Sequence, residues 1–247
     1  MIEIKSGREI ALIEAAGNIV RLVLDEIKRL AKPGVTTERL DKKAEEIIRN
    51  FGARSAFKGY RGFPGNICTS INEQVVNGIP GSTRLKLGDI LSVDVGVEKA
   101  GFYADAAITI EVGDSVSENA KNLIGVTKEA LCLGIEKARE GNRLFDISCA
   151  IQQHVEKNGY SVVRDFVGHG IGQKMHEEQE IPNFGKPNTG PRLKKGMVLA
   201  IEPMVNEGTF EIEILKDGWT AVTKDRKLSA HFEHTVCVTD GEPKILA

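Results

Sequence analysis

The chain has 247 residues, 41% of them hydrophobic, enough to bury a sizeable core as one large domain or two small ones. Charged residues make up 28% and the formal net charge is −2, which excludes a disordered polymer and gives no electrostatic support to DNA binding. No run approaches the ~18 apolar residues of a membrane span. The N-terminus MIEIKSGREI has no signal-peptide core, and the four cysteines (Cys68, Cys132, Cys149, Cys237) lack CxxC spacing; a cytoplasmic protein without a membrane partner, zinc ribbon or structural disulfide is expected.

From Ile10 to Leu30 apolar residues recur at helical spacing (Ile13, Ala16, Val20, Val23, Ile27, Leu30), and Lys32-Pro33-Gly34 stops the run. A second helix is predicted from about Thr37 to Asn50, with Gly52 at its end. Ala31-Lys32-x-Gly34, Leu40, Ala44, Ile48 and Gly52 then match Ala138-Arg139-x-Gly141, Ile147, Ile151, Val155 and Gly159 at a constant offset of 107. A long helix precedes each copy, the second from about Glu118 to Arg139. The pattern reads as an internal duplication, 1–112 and 113–247, with chance likeness between amphipathic helices as the alternative. Strands are predicted at Ile90–Val97, Phe102–Ile110, Met197–Ile201, Phe210–Leu215 and Phe232–Val238. Gly59–Gly81, rich in glycine and aromatics, reads as an ordered loop of the kind that carries function. The expected architecture is one α/β domain of two similar halves.

Asp94 sits inside the apolar run Leu91–Val97, where an ionised carboxylate needs a cation or several donors. Glu98-Lys99-Ala100-Gly101 reads as a four-residue hairpin loop. Pairing Val97 with Phe102 places Asp94 directly opposite Asp105, where like charges repel. A solvated sheet edge is the alternative for the two. His169 stands in Gly168-His169-Gly170-Ile171-Gly172; taken alone it reads more readily as a turn residue than as a ligand. Glu202, after the apolar strand Met197–Ile201, and Glu233, at the start of Glu233–Val238, could each be strand-end charges facing water. Together the five make one imidazole and four carboxylates at strand ends. Such oxygen-rich ligation favours Mn²⁺, Fe²⁺ or Co²⁺ over structural Zn²⁺, and four carboxylates suit two metals better than one.

The segments Ser92-Val93-Asp94-Val95, Phe102-Tyr103-Ala104-Asp105, Gly168–Gly172, His176-Glu177-Glu178, Ile201-Glu202-Pro203-Met204-Val205-Asn206, Lys216-Asp217-Gly218-Trp219-Thr220 and Phe232-Glu233-His234-Thr235 run in order over nearly the whole chain. In these motifs the sequence resembles the type I methionine aminopeptidase family, within the creatinase/prolidase "pita-bread" group, in its short bacterial form. The resemblance implies a curved, mainly antiparallel sheet with helices outside and two pseudo-symmetric halves. It implies removal of the initiator methionine from nascent chains when the second residue is small, by water activated between two metals. Asp94, Asp105, His169, Glu202 and Glu233 become the ligands of two divalent ions (Co, Mn, Fe or Zn). Glu202 also relays a proton, and His176 contacts the substrate carbonyl or oxyanion. Phe57, Tyr60, Phe63, Cys68 and Trp219 line the methionine pocket, where soft aromatic contacts suit a thioether; as residues alone, Phe57 and Phe63 could equally be core. Asn72, Gln74 and Ser229 fall where the family binds a monovalent cation, Na⁺ or K⁺. A ribosome partner and a monomeric state are expected.

One position departs from the family pattern. A V-x-H-G-I-P segment of the substrate site reads Val76-Asn77-Gly78-Ile79-Pro80 here, and Asn can donate a hydrogen bond without changing protonation state. Phe57 and Met175 stand where Cys and Phe are expected, as pocket variation. The competing readings are an Xaa-Pro peptidase of the same fold, a weakened metal-holding protein that recognises peptide N-termini or the ribosome, and an unrelated fold.

Overall fold

The computed structural model describes residues 3–247. Ser6 opens the first helix: its hydroxyl accepts from Glu9 N at 3.3 Å while the Glu9 carboxylate accepts from Ser6 N at 2.8 Å. Helix α1 then spans Gly7–Leu30 and buries Ile13, Ala16, Val20, Val23 and Ile27 along one stripe. That stripe lies against the strands Ile90–Lys99 and Phe102–Glu111. Helix α2, Thr37–Asn50, is capped by the Thr36 hydroxyl and buries Leu40, Ala44 and Ile48. Helices α3 (Glu118–Lys137) and α4 (Leu144–Lys157) pack against each other as a second pair, α4 burying Ile147, Ile151 and Val155. No helix among the described residues is long and apolar enough to cross a membrane.

The two helix pairs share more than their apolar positions. Gly34 and Gly141 both adopt positive φ (88° and 90°), and each donates its N–H to a leucine carbonyl, Leu85 and Leu193. From those leucines the chain reads Arg84-Leu85-Lys86-x-Gly88-x-Ile90-Leu91-x-Val93-Asp94 and Arg192-Leu193-Lys194-x-Gly196-x-Val198-Leu199-x-Ile201-Glu202. Gly88 and Gly196 in turn donate to Val112 and Val238 at 3.0 and 2.9 Å.

Among the described residues the main sheet has nine strands, and its neighbouring strands pair antiparallel. Along its path the strands Ile90–Lys99, Phe102–Glu111, Glu233–Cys237, Val198–Ile201, Gly168–Gly170 and Glu177–Ile181 lie side by side. Gly59–Gly81 is more regular than the expected loop. It holds a 3₁₀ turn, Tyr60–Gly62, and the strands Cys68–Ile71 and Gln74–Val76, the first of which pairs with Ile90–Lys99. The segment around Phe210 is shorter than expected, Ile212–Ile214, and Phe232 separates the strands Ser229–His231 and Glu233–Cys237.

The register of the central hairpin differs from the expected one. Lys99, not Val97, pairs with Phe102, so Asp94 faces Ala107 and Asp105 faces Gly96. The loop is only Ala100-Gly101, both with positive φ (53° and 82°), as a two-residue turn matched to sheet twist requires. A slip of two residues preserves side-chain facing, so the two aspartates still share a face, as diagonal neighbours with room between them. Ala100 carries the cost, since a left-handed conformation is unfavourable for a residue with a Cβ. Ala100→Asn should raise the unfolding free energy by about 0.5–1 kcal/mol, because Asn tolerates this region better. Denaturant melts should show a higher midpoint at unchanged slope; an unchanged or lower midpoint would count against the turn assignment.

Candidate metal centre

Five consecutive strands of the sheet deliver the five candidate ligands. Asp94 and Asp105 come from the central hairpin, Glu233 from the first position of its strand, Glu202 from just past Val198–Ile201, and His169 from the middle of Gly168–Gly170. His169 is thus a strand residue, not a turn residue. Gly168 is obligatory beside it, since a Cβ there would collide with the Ala200 carbonyl oxygen.

Ligating atoms of Asp105, His169 and Glu233 lie within 4.8 Å of one another. His169 Nε2 stands 3.5 Å from both Asp105 Oδ2 and Glu202 Oε1. Its Nδ1 is 3.0 Å from the Gly170 carbonyl; donation there fixes the tautomer and leaves the Nε2 lone pair facing the carboxylates. Burial lowers the His169 pKa to about 4, keeping the ring neutral as a ligand must be. Thr235 donates its hydroxyl to Asp105 Oδ1 at 2.8 Å and accepts from Asp105 N at 3.0 Å. Asp94 Oδ1 is buried and has no hydrogen-bond partner among the described residues.

The electrostatics are those of an uncompensated cluster. Burial, then the charge of Asp105, pushes Asp94 well above the usual carboxylate range. Glu202 and Glu233 rise for the same two reasons, with Asp94 adding to both. Asp105 itself moves to about 6 through burial, held back by Thr235. No Lys or Arg among the described residues forms an ion pair with any of the four. Buried like charges with one neutral imidazole and an orphaned oxygen fit divalent cations.

A cavity of about 320 Å³ opens over this cluster. Tyr60, Phe63, Cys68 and Trp219 line its apolar end, with Phe57 and Met175 behind them. Phe63 and Trp219 meet edge to face at 5.2 Å, and Cys68 is the cross-strand partner of Asp94, which joins the apolar end to the acidic end. His176 stands between the two: its ring lies 4.3 Å from that of His169 and its Nδ1 is 2.9 Å from the Tyr60 hydroxyl. Burial, then His169, brings its pKa down to about 4. Asn77 also lines the cavity, at φ 60°, anchored by Gly78, whose Cβ would collide with the Thr69 carbonyl.

Asn72, Gln74 and Ser229 come together elsewhere, off the cavity lining. Ser229 N donates to the Asn72 carbonyl at 2.9 Å, and the Gln74 side chain accepts from Ile71 N at 2.8 Å. The cavity also includes residues that the sequence did not single out, chiefly Phe166, Met204 and His231. His231 is buried, with Nε2 unpartnered among the described residues and 3.7 Å from Glu202 Oε2. Its spacing of two from Glu233 was the only available signal, and Phe232 interrupts the strand between them.

The profile of metallopeptidase family M24 matches residues 11–240. A methionine aminopeptidase of Clostridium perfringens is 55% identical over 100% of this chain and 98% of its own length. Methionine aminopeptidase 1 of Bacillus subtilis is 51% identical over 97% and 96%. The crystal structure of the Thermotoga maritima methionine aminopeptidase superposes with a TM-score of 0.98 at 45% identity, covering 100% of this chain and 99% of that one. A prolidase of Pyrococcus furiosus shares the fold, with a TM-score of 0.78 at 24% identity over 98% of this chain and 64% of its own.

The raised carboxylates give the metal-free protein an unusual pH response. Below the ordinary carboxylate value of about 4 both folded and unfolded chains hold these protons. As pH rises, the unfolded chain releases them first, so stability falls through the Asp105 value of about 6 and beyond. Thermal melts in chelator should therefore show a Tm that declines from about pH 5 to pH 8, more weakly in Asp94→Asn. Excess Mn²⁺ should raise Tm most at the upper end, since it binds the ionised ligands. A flat profile in chelator would contradict the uncompensated cluster.

Proposed function

The chain belongs to metallopeptidase family M24, and from that premise we propose the function that its site supports best. It is a metal-dependent aminopeptidase that removes N-terminal methionine from polypeptide chains. The observation that carries this is the convergence of four carboxylates, Asp105 and Glu233 buried and Asp94 and Glu202 partly so, with one neutral imidazole beside an apolar cavity. We assign Asp94, Asp105, His169, Glu202 and Glu233 as ligands of two divalent ions, drawn from Co²⁺, Mn²⁺, Fe²⁺ and Zn²⁺. When bound, such ions supply Lewis acidity and an activated water.

The chain's own residues do the rest. Glu202 accepts the proton released as water attacks the first peptide bond and passes it to the leaving amine. Tyr60 donates its hydroxyl proton to His176 Nδ1, which places the remaining N–H on Nε2. With its pKa lowered to about 4, His176 acts as a neutral donor to the substrate carbonyl as it becomes an oxyanion. Phe63, Trp219, Tyr60, Cys68 and Phe57 surround the methionine side chain, and Asn77 hydrogen-bonds the peptide. A small second residue lets the backbone lie against the acidic end. The substrates are new N-termini presented near the ribosome in the cytoplasm, and the enzyme works as a monomer. One Na⁺ or K⁺ is assigned to the backbone around Asn72, Gln74 and Ser229. The whole of 1–247 is read as one domain of two related halves, on the strength of the hydrogen bonds that recur around Gly34 and Gly141.

Metal-reconstituted protein should release methionine from Met-Ala-Ser peptides and leave peptides beginning with Lys or Val essentially uncut. Equal rates on all three would defeat the pocket assignment, and selective cleavage of Xaa-Pro peptides would favour the prolidase-like reading.

Asn77 sets a limit on rate. An amide can orient the peptide but offers no titrating proton, and acid–base assistance is typically worth ~10²–10⁴-fold. His176 remains, so the deficit should fall at the low end. Asn77→His is expected to raise kcat about tenfold or more with metal affinity unchanged. Equal kcat values on a Met-Ala peptide would show a pocket adapted to Asn, and no turnover by either form would favour a binding protein.

A further inference from the structure

The segment that precedes α1 carries a charge to an unexpected place. Lys5 is almost wholly buried, its side chain 2% exposed, and its Nζ lies 2.6 and 2.8 Å from the two oxygens of Glu177, a side chain only 7% exposed. Glu3, largely exposed, approaches the same ammonium at 3.1 Å. The backbone of Lys5 is fixed independently: its N–H donates to the Gly196 carbonyl at 2.7 Å, and Ile4 bridges Met197.

Two glycines beyond His169 make room for this pair. A Cβ at Gly172 would collide with Lys5 Cε and stand 2.6 Å from Glu177 Oε1; one at Gly170 would stand 3.1 Å from Glu177 Cβ. The motif Gly168-His169-Gly170-Ile171-Gly172 thus serves two ends. Gly168 clears the sheet beside the imidazole, and Gly170 and Gly172 clear a socket for an ion pair. Gly170 is the strand partner of Glu177, and the bend between them carries Met175 and His176.

A buried ion pair is a poor way to gain stability, since desolvation consumes most of the attraction; its best-attested use is to fix one arrangement over others. The arrangement fixed here is the height of His176 above the cavity. We propose that Lys5 is a positioning residue for the reaction: its ammonium grips Glu177, and that grip holds the bend so that the His176 ring stays against Tyr60 and His169. The proposal rests on the role given to His176 above.

Lys5→Met keeps an unbranched side chain, one atom shorter, and removes the charge. Its kcat on a Met-Ala peptide should fall about tenfold or more, with KM and metal content little changed, because only a transition-state contact is displaced. In a His176→Ala background the same substitution should cost nothing further. Histidine-labelled NMR should show the His176 ring resonances displaced in Lys5→Met while those of His154 stay in place. Glu177→Gln keeps the shape without the charge; it should reproduce these effects and serves in place of Lys5→Met if that variant does not fold. An unchanged kcat in the single variant, or an equal loss with and without His176, overturns the proposal. If His176→Ala alone leaves kcat intact, the role given to His176 fails, and the resonances decide for Lys5: displaced, they support the grip; unmoved, they refute it.

Discussion

Four carboxylates confined to a water-poor space with no cationic side chain among the described residues paired to them is the constraint on which this structure turns. Each would be expensive alone, and together they raise one another's affinity for protons. The sheet tolerates the cost because it is rigid. Asp105 is tied by three contacts to Thr235 of the neighbouring strand, His169 is locked in one tautomer by a backbone carbonyl, and helix α1 packs against the hairpin. An arrangement so costly without ions is prepared for them, and the cavity above explains the preparation.

The acidic residues also reveal how the site is divided along the chain. Asp94 and Glu202 close similar segments, 84–94 and 192–202, in which five residues are identical and the backbone hydrogen bonds of Leu85 and Gly88 recur at Leu193 and Gly196. Asp94 and Asp105 come from residues 1–112; His169, Glu202 and Glu233 come from residues 113–247. The strands Phe102–Glu111 and Glu233–Cys237 pair along the line between them. The cavity draws on both stretches of the chain: Phe57, Tyr60, Phe63, Cys68 and Asn77 come before residue 112, and Phe166, Met175, His176, Met204, Trp219 and His231 come after it.

Much of this was legible in the residues. The helical stripes of α1 and α2, the shared face of Asp94 and Asp105, and the strand-end setting of both glutamates follow from periodicity and from the cost of burying charge. The hairpin register was harder, because the turn Ala100-Gly101 lacks the Asn-Gly or Asp-Gly signature of a two-residue loop, and a four-residue loop fits the same run. The repeat at an offset of 107 stops short of 84–94 and 192–202 because one additional residue in the second copy moves their offset to 108. The pairings Tyr60–His176 and Lys5–Glu177 span 116 and 172 residues and leave no local pattern to read. His231 was hidden for a different reason: a histidine two residues from a strand-start glutamate looks like any buried strand residue until the cavity is seen.

The line along which Phe102–Glu111 meets Glu233–Cys237 has a temporal consequence. Its partners are distant in sequence, so they come together only after each hairpin has formed, and the loop-closure entropy is met late. Ions that need ligands from both sides of that line can be captured only once it has closed. They then oppose reopening and have little to grip in a half-formed chain. Metal should act on this fold chiefly as a latch that lengthens the lifetime of the finished state, leaving the speed of reaching it to the strands themselves.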